Sequence, residues 1–447
     1  MQAKTRDMTT GNPLWLILSF ALPLMAGNMC QQLYTMTDTA IVGKFIGIDA
    51  LAALGASDWL NWLVLGIVSG FAQGFSLLVA QRFGAGDYDG VRSAVGASAV
   101  LAAVMALALT ALGLAFARPA LIAMDTPENI LNDSYVYLSI LYGGIPIIMT
   151  YNLLSSVLRA LGNGRAPLYA MLVASATNIA LDLLFILAFH WGVAGAAIAT
   201  VIGQMVSCVY CLLVMRKMPV LRLKRADFHV DWTLGKRLLR LGVPMALQNM
   251  VIGVGGIILQ RVINGFGIVL VAGFVATNKL YGLIELAAVS YGYAVSTYVG
   301  QNHGARKNDR IKKGMRASVS ASVLTAVGIG ALMLIFGRNI LSLFIDGAAE
   351  NAAQVMDVAF RYLSIMSVCL PILYLLHNYR SVLQGMGDTF VPMLSGVAEL
   401  AMRVSCALIL PMFIGIDGIF VAEVAAWTGA ALLLIAAYYA RARNLSL

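Results

Sequence analysis

The sequence predicts an all-α membrane protein whose twelve transmembrane helices form two six-helix bundles related by a pseudo-two-fold axis along the membrane normal. Three observations support this fold class: the composition, the number of long apolar stretches, and a duplication within the chain. Of the 447 residues, 60% are hydrophobic and only 11% are charged, and the mean hydropathy is +0.84. Because this much apolar sequence cannot be buried in a soluble core, we expect the protein to lie in a lipid bilayer.

Twelve apolar stretches are long enough to span a membrane. Only α-helices and closed β-barrels satisfy every backbone polar group in hydrocarbon, and these stretches lack the alternation of barrel strands. Each stretch is therefore predicted to be a helix. In chain order they lie near residues 14–37, 51–79, 93–116, 135–157, 168–189, 196–215, 242–263, 271–298, 317–337, 359–379, 391–413 and 419–440.

The chain contains two related halves. The motif Tyr-Leu-Ser-Ile followed by a proline occurs at residues 137–146 and, with the same spacing, at residues 362–371. Since each half holds six predicted helices, both halves start on the same side of the membrane and should be parallel repeats. Such repeats are typical of secondary transporters. Other anchors of the repeat are Gln81 and Gly84, which return as Gln301 and Gly304.

Prolines occur at matched places within the predicted spans of the two halves. They predict kinks, which serve either as hinges or only as fixed features of the helix shape. These prolines are Pro23 and Pro146 in the first half, and Pro244 and Pro371 in the second.

Basic residues predict the side of the membrane on which each loop lies. Most of the 30 Lys and Arg residues, Arg380 among them, lie on the side where the chain starts. The positive-inside rule therefore predicts a multi-pass protein of the cell (inner or plasma) membrane with both termini in the cytoplasm. The same rule accounts for the net charge of +9, so we expect no nucleic-acid partner.

The longest predicted loop, residues 216–240, separates the two halves. Asp231 is placed to cap an interfacial helix that leads into the seventh span. We therefore predict an N-terminal lobe at residues 1–228 and a C-terminal lobe at residues 229–447. The first apolar stretch continues past Pro23, and we interpret it as the first span rather than as a cleavable signal peptide.

The sequence offers no evident machinery for catalysis or metal chemistry. The five cysteines fall within predicted spans, and the four histidines are scattered at loops and helix ends. The glycine-rich loops lack the Lys-Ser/Thr pair of a phosphate-binding loop, so nothing indicates the use of ATP. We therefore expect a protein that is not an enzyme, has no cofactor, and draws its energy from a gradient of H⁺ or Na⁺.

Polar residues form narrow stripes on three predicted helices of the first half. A carboxylate at bilayer depth costs about 2.5–3.5 kcal/mol, so each such acid is a candidate functional residue. Because residues three, four or seven apart share one helix face, we expect the three stripes to line one cavity. The stripes are Asn28, Gln31, Thr35 and Asp38 on the first span, Ser175, Asn178 and Asp182 on the fifth, and Thr200, Gln204 and Ser207 on the sixth.

This cavity would hold two carboxylates together with amide and hydroxyl oxygens, which suit a hard cation. Two neighbouring carboxylates resist joint ionisation, so a bound proton or Na⁺ would relieve their repulsion. The two ions would then compete for one site. The alternative is that these side chains only form hydrogen bonds between helices.

The second half carries a different set of charges at membrane depth. Glu399 and Arg403, one turn apart on the eleventh span, form either a structural ion pair or a gating or substrate-binding group. Glu285 shares a face of the eighth span with Tyr281. It is either a group that meets a cationic substrate or a structural partner for Lys279. The sequence thus predicts that the cation site was not duplicated.

The sequence resembles the multidrug and toxic compound extrusion (MATE) family of transporters over nearly its whole length. The resemblance rests on Asp38-Thr39-Ala40-Ile41-Val42-Gly43 at the end of the first span, Val299-Gly300-Gln301-Asn302-His303-Gly304 after the eighth, and the duplicated twelve-span layout.

The most specific match is to the cation site in the N-terminal lobe of the archaeal and DinF-like branch. The residues that match it are Asp38, Asn178, Asp182 and Thr200, and the resemblance implies that Na⁺, if bound, is held by these four. It also implies that Tyr137 on the fourth span is associated with the site.

Other members of the family place a glutamate on the seventh span, where this chain reads Leu247-Gln248-Asn249. An ion site on that helix is therefore not carried over. The candidates for substrate binding or gating are Gln31, Asn249, Lys279, Tyr281, Glu285, Glu399 and Arg403.

The resemblance implies a secondary antiporter that exports organic, cationic and amphipathic compounds in exchange for inward H⁺ or Na⁺. We expect a monomer that works in the lipid bilayer on small organic molecules. The nearest alternative is a lipid-linked saccharide flippase of the same wider superfamily, which usually has extra spans or a strongly cationic cavity. A membrane-embedded enzyme would need a catalytic constellation that is not seen, and a channel would show ion flux far above carrier rates.

Overall fold

A computed structural model of the chain describes residues 5–345 and 351–444, and all regular secondary structure within these residues is helical. A π turn at Leu184–Ala188 follows α6, and short 3₁₀ turns lie at Pro219–Leu221 and Arg225–Phe228. The α-helices are α1 (Pro13–Phe45), α2 (Ile48–Gly84), α3 (Tyr88–Ala123), α4 (Glu128–Gly143), α5 (Ile145–Ala160), α6 (Arg165–Leu183), α7 (Gly192–Arg216), α8 (Trp232–Asn264), α9 (Ile268–Gly304), α10 (Asn308–Leu341), α11 (Ala352–Gly385), α12 (Phe390–Ile409), α13 (Pro411–Ile414) and α14 (Asp417–Asn444).

The helices account for all twelve predicted spans. Eleven spans are long and apolar enough to cross a bilayer singly, and the bent pair α4 and α5 supplies the twelfth. The longest helices, α2 and α9, each contain 37 residues, or about 55 Å of helix, which exceeds a hydrocarbon core of about 30 Å. The predicted all-α membrane fold is confirmed.

The described residues group into two compact units. Unit 1 contains residues 5–10, 22–250 and 300–306, and unit 2 contains residues 11–21, 251–299, 307–345 and 351–444. Helices α1, α8 and α9 each contribute residues to both units. The predicted lobe boundary between residues 228 and 229 stays a prediction, since both units draw on sequence from either side of it.

In unit 1, α2 packs against α3, α4 and α5, and α7 packs against α4, α5 and α6. Small residues bring α2 and the first part of α8 together. A Cβ atom added to Gly70 would lie 2.6 Å from the backbone of Ala246, and Asn249 donates a hydrogen bond of 2.9 Å to the carbonyl of Gly66. This close crossing is the packing that small residues at four-residue spacing allow in membranes.

Two repeat-related segments meet inside unit 1. A Cβ atom on Gly84 would overlap the carbonyl oxygen of Gln301, and one on Gly304 would overlap the carbonyl oxygen of Gln81. The Gln301 side chain also accepts a hydrogen bond from the Met8 backbone at 2.8 Å and donates one to the Ala160 carbonyl at 2.9 Å. The reciprocal contact requires glycine at both places, which gives a physical reason for these anchors of the repeat.

The segment between the halves packs against α3, where the backbone of Asp227 lies against Gly96. Helix α8 begins at Trp232, directly after Asp231, as the capping pattern predicts. A separate interfacial helix is not formed, because α8 continues without a break to Asn264 and so joins the predicted interfacial segment to the seventh span.

In unit 2, α14 packs against both α11 and α12, and α10 packs against α11. A buried aromatic stack joins three of its helices. The ring of Tyr362 stacks on Phe274 at a centroid distance of 5.2 Å and on Phe420 at 4.8 Å.

The two halves differ at their matched prolines. The fourth span breaks by 50° where Gly143 and Gly144 precede Ile145 and Pro146, whereas α11 runs without a break across Pro371. Proline removes one backbone donor in both cases, but only the first half adds two glycines that relax the helix. The two matched prolines thus differ in whether the helix is interrupted, and their role as hinges stays a prediction.

Candidate functional site

Two carboxyl groups meet inside unit 1. Helix α1 supplies Asp38, whose residue is 6% exposed, and α6 supplies Asp182, which is fully buried. Their carboxyl groups are close enough to share a hydrogen bond. Such a bond requires one proton, because two ionised carboxylates are both acceptors. The Oδ1 atoms of both residues have no hydrogen-bond partner among the described residues.

Asn178 connects Asp182 to α7. In the amide orientation that satisfies both of its polar atoms, Asn178 donates to Asp182 Oδ2 at 3.2 Å and accepts from the backbone N–H of Thr200 at 3.3 Å. The two helices are further joined by Ser207, whose hydroxyl donates to the carbonyl of Ala170 at 3.1 Å. The structure thus brings together the residues of the fifth and sixth spans whose stripes predicted a shared cavity.

Tyrosines lie at the same place. Tyr137 of α4 is buried and interacts electrostatically with Asp38 and Asp182. Tyr34, one turn before Asp38 on α1, is close enough to Gln204 of α7 for a hydrogen bond. Tyr34 was not predicted from the sequence, although its spacing from Asp38 on the helix could have indicated it.

A third acid of unit 1 also went unpredicted. Asp58 of α2 interacts electrostatically with both Asp38 and Tyr137, yet it is exposed rather than buried. Its signal in the sequence was a lone carboxylate in an apolar stretch, which is itself a mark of function in a membrane.

The stripe predicted for the first span is only partly confirmed. Asp38 is buried, but Gln31 and Thr35 are exposed. Thr35 lies at the edge of the helix face that carries Tyr34 and Asp38. Gln31 shares the face of Asp38 but lies almost two turns earlier along the helix.

An apolar cluster borders the acids. It contains Val42 one turn after Asp38, and Ile186 one turn after Asp182. Immediately after Asp182 the chain winds as the π turn Leu184–Ala188, a feature that is frequent at functional sites. The apolar cluster and the π turn thus lie directly beside the carboxyl pair in the sequence of α1 and α6.

The chemistry of this site is that of oxygen ligands. Two carboxylates, an amide and a hydroxyl suit a proton or a hard cation such as Na⁺. Within the described residues, no three His, Cys, Asp or Glu side chains come together closely enough to hold a metal ion. The site therefore offers two carboxylates and neutral oxygens, and Asp58 does not complete a three-carboxylate cluster.

Buried charges in unit 2 are arranged differently, as a self-neutralising network. Arg403 donates two hydrogen bonds of 2.8 Å to Glu423 and one of 2.9 Å to Glu399. Arg380 donates to the second oxygen of Glu399 at 2.9 Å and lies 3.4 Å from Ser395. The predicted pair of Glu399 and Arg403 thus forms, within a larger set of two arginines and two glutamates.

Arg380 is one of the basic residues from which the sidedness of the loops was predicted. Its charge was assigned to the basic side of the membrane, but the residue is 7% exposed within α11 and paired with Glu399. A paired arginine carries no information about loop location, because its charge is compensated inside the protein.

Glu285 has a partner other than the one considered from the sequence. Its carboxylate lies 3.6 Å from His377 Nε2, and Lys279 is exposed with no ion pair to any described residue. Residues 279 and 285 are six positions apart, which places them on different faces of one helix. Tyr281 stacks on the buried Trp427 at 5.8 Å, and Glu285 remains about one-third exposed.

Comparison with known proteins places the chain in a family. The family model described as MatE matches residues 23–184 and 244–409, one match in each half. The chain belongs to the MatE family. Its members are multidrug efflux transporters, so the protein is a transporter and not an enzyme.

Individual relatives of the MatE chain cover most of its length. It is 31% identical over 366 residues to the "Probable multidrug resistance protein YpnP" of Bacillus subtilis, covering 80% of this chain and 81% of that protein. It is 26% identical over 361 residues to the "DNA damage-inducible protein F" of Escherichia coli, covering 79% and 76%. The predicted relation to DinF is therefore confirmed.

Solved structures show the same fold. A MOP superfamily transporter from Pyrococcus furiosus superposes with a TM-score of 0.93 over 99% of both chains, at 23% identity. The description of that structure speaks of a reversed polarity of its binding pocket. For the MatE chain this likeness establishes the fold.

Proposed function

We propose that this MatE protein is an antiporter that exports organic, amphipathic cations in exchange for H⁺ or Na⁺ that enters the cell. The observation that carries the proposal is the buried pair Asp38 and Asp182 in unit 1. No basic side chain of a described residue forms an ion pair with either acid. The pair therefore lacks a fixed countercharge, and a mobile cation can supply it.

The electrostatics of the pair favour occupancy by an ion. Two ionised carboxylates at this separation repel each other, and the low dielectric constant around them strengthens the repulsion. A proton or Na⁺ shared between them removes this cost, and Asn178 and Thr200 offer further oxygen ligands for Na⁺. A membrane potential of 100 mV contributes about 2.3 kcal/mol for each charge that moves inward.

Exchange requires that ion and substrate favour different states of the transporter. The ion favours the state in which Asp38 and Asp182 are reached from outside, and the substrate favours the state in which the pair is empty. Without this difference in affinity, an ion gradient does no work on the substrate.

The substrate class is supported by the relatives and by unit 2. Two of the matched relatives are named as probable multidrug resistance proteins. The partly exposed carboxylate of Glu285, close to the ring of Tyr281, is the kind of group that meets an organic cation. Nothing in the comparisons points to a flippase, and Arg380 and Arg403 are neutralised by acids rather than lining a cationic cavity.

The test is the efflux of ethidium from proteoliposomes under a pH gradient or a Na⁺ gradient imposed separately. We expect one of the gradients to drive efflux in the wild type. Asp38→Asn and Asp182→Asn should each lower gradient-driven efflux at least about tenfold, since either change removes a charge that the ion neutralises.

The matched control is Asp357→Asn, which alters an exposed acid that pairs with Arg338. It should transport like the wild type. Normal gradient-driven efflux by both Asp38→Asn and Asp182→Asn would show that the pair is not the coupling site.

A further inference from the structure

Unit 1 contains a third acid, Asp58, in addition to the carboxyl pair of Asp38 and Asp182. Asp58 lies ten residues after the start of α2 at Ile48, about 15 Å along the helix and within the predicted span of residues 51–79. Its side chain makes no hydrogen bond or ion pair with a described residue, and the residue is exposed. A carboxylate within a membrane span costs free energy, so Asp58 is by default a candidate functional residue.

Helix packing fixes the position of Asp58 relative to the ion site. The neighbouring residue Ser57 contacts α4, where its hydroxyl lies 3.4 Å from the carbonyl of Ser134, and the Ser134 hydroxyl donates to the carbonyl of Ala53 at 3.1 Å. Tyr137 lies one turn further along α4 from Ser134. This turn of α2 is therefore held beside the turn of α4 that carries the tyrosine of the site.

The apolar cluster gives an independent placement. Leu54, one turn before Asp58, belongs to the same buried cluster as Val42, one turn after Asp38. Because α1 and α2 run in opposite directions, both acids lie on the same side of that cluster. The acids are thus neighbours across the α1–α2 pair, in agreement with the electrostatic interaction between them.

The titratable groups around Asp58 are all acidic or phenolic. Asp38 of α1 and Tyr137 of α4 interact with it, and Tyr137 interacts in turn with Tyr34 and Asp182. Among the described residues, α3, α5 and α7 bring no charged side chain to it. A cation near Asp58 therefore meets negative charge in the direction of the buried pair and no competing positive charge.

Solvent exposure decreases from Asp58 to Asp38 and then to Asp182. Asp58 is exposed, Asp38 is 6% exposed and Asp182 is fully buried. We propose that Asp58 is the outermost carboxylate of the ion site, at which the coupling ion first binds before it passes to Asp38 and Asp182. A proton leaves the Asp58 carboxyl as Asp38 accepts it, whereas Na⁺ only exchanges oxygen ligands. This role rests on the proposed antiport.

The experiment measures ethidium efflux from proteoliposomes as a function of the concentration of the driving ion. For Asp58→Asn we expect the half-saturating ion concentration to rise about five- to tenfold, because one attracting charge near Asp38 is lost. The maximal rate should stay within about twofold, since Asp38 and Asp182 still bind the ion. Asp58→Glu should restore the half-saturating concentration.

Asp49→Asn is the matched control, because Asp49 is an exposed acid in the first turn of the same helix. It should behave like the wild type. If Asp58→Asn does not reach the membrane, Asp58→Ser is measured by the same criteria.

Three results overturn the inference: an unchanged half-saturating concentration in Asp58→Asn, a fall in maximal rate alone, or an Asp58→Glu variant that behaves like Asp58→Asn. If the wild type responds to a gradient and Asp38→Asn does not, the antiport stands whatever Asp58 does. If the wild type responds to neither gradient, the antiport itself fails, and this inference fails with it.

Discussion

The carboxylates of Asp38 and Asp182 differ from those of Glu399 and Glu423 in what surrounds them. The first two face each other, and no arginine or lysine of the described residues pairs with them. The glutamates each hold a guanidinium group at 2.8–2.9 Å. A cation can be taken up only where a negative charge is still uncompensated, so the proposed antiport uses the first pair for ion exchange, whereas the glutamates are already paired with arginines.

Asn178 should control how tightly the ion is bound. Asn178→Ala removes the donor to Asp182 and the acceptor for the Thr200 backbone, and a hydrogen bond to a charged group is worth about 1.5–3 kcal/mol. We expect the half-saturating ion concentration for efflux to change at least about tenfold, with normal amounts of protein in the membrane.

Asn152→Ala provides the comparison for Asn178→Ala. Asn152 is also an asparagine within a predicted span, but among the described residues its side chain bonds only to the Ile148 carbonyl of its own helix. Its half-saturating concentration should equal that of the wild type. Equal behaviour of the two variants would argue that Asn178 has no part in ion binding.

Helical spacing was enough to predict most of the candidate ion site. Spacings of three, four and seven residues gave the stripe of Asn178 and Asp182 on one helix and that of Thr200 on the next, and the structure brings these residues together. Helical spacing could not predict Asp58, because a single acid among apolar residues forms no stripe. The partners of Glu285 and Arg403 on α11 and α14 were also beyond reach, since periodicity describes one helix and not its neighbours.

The charge network of unit 2 joins α11, α12 and α14, and its loss should destabilise that unit. Arg403→Met leaves Glu423 buried without its partner, which costs about 3–5 kcal/mol in comparable cases. We expect a clear fall in the melting temperature of the purified transporter in detergent.

Arg338→Met tests the same chemistry at an exposed pair. Arg338 bonds to Asp357 near the helix ends, where both side chains are more than half exposed, and the effect should be below about 1 kcal/mol. If Arg403→Met instead keeps its melting temperature and loses only ethidium transport, the arginine contacts substrate and the structural interpretation is wrong.

The glycine contact between the ends of α2 and α9 should tolerate no side chain. Gly84→Ala places a Cβ atom on the carbonyl of Gln301, and a backbone shift to relieve such a clash costs about 1–3 kcal/mol. Melting temperature and the yield of folded protein should both fall. Gly55→Ala, at a position of the same helix with no neighbour within 4 Å, should change neither.

The length of the apolar stretches predicted that each helix exists. It did not predict where a span is interrupted. The break before Pro146 had a local signal in Gly143 and Gly144, and the matched proline at Pro371 has no such glycines before it. Pro371 lies inside the uninterrupted helix α11, which packs against α10 and α14, so a proline alone did not decide whether the span breaks.

Orientation in the membrane is a property of the complete chain that the distribution of basic residues predicts. With both termini in the cytoplasm, green fluorescent protein fused to either end should fluoresce, whereas alkaline phosphatase fused there should be inactive because its disulfides form only in the periplasm. A phosphatase fused after truncation at Thr126, between α3 and α4, should be active. Active phosphatase at a terminus would reverse the predicted topology.

The reciprocal contact of Gln81 and Gly84 with Gln301 and Gly304 bears on the origin of the gene. In a homodimer of six-span proteins, the same contact would be made by two copies of one segment across the symmetry axis. One codon would then have specified both glycines, and any larger residue would have clashed twice. Duplication and fusion gave each glycine its own codon, so the two positions can now mutate separately, although the carbonyl that each one faces still constrains it.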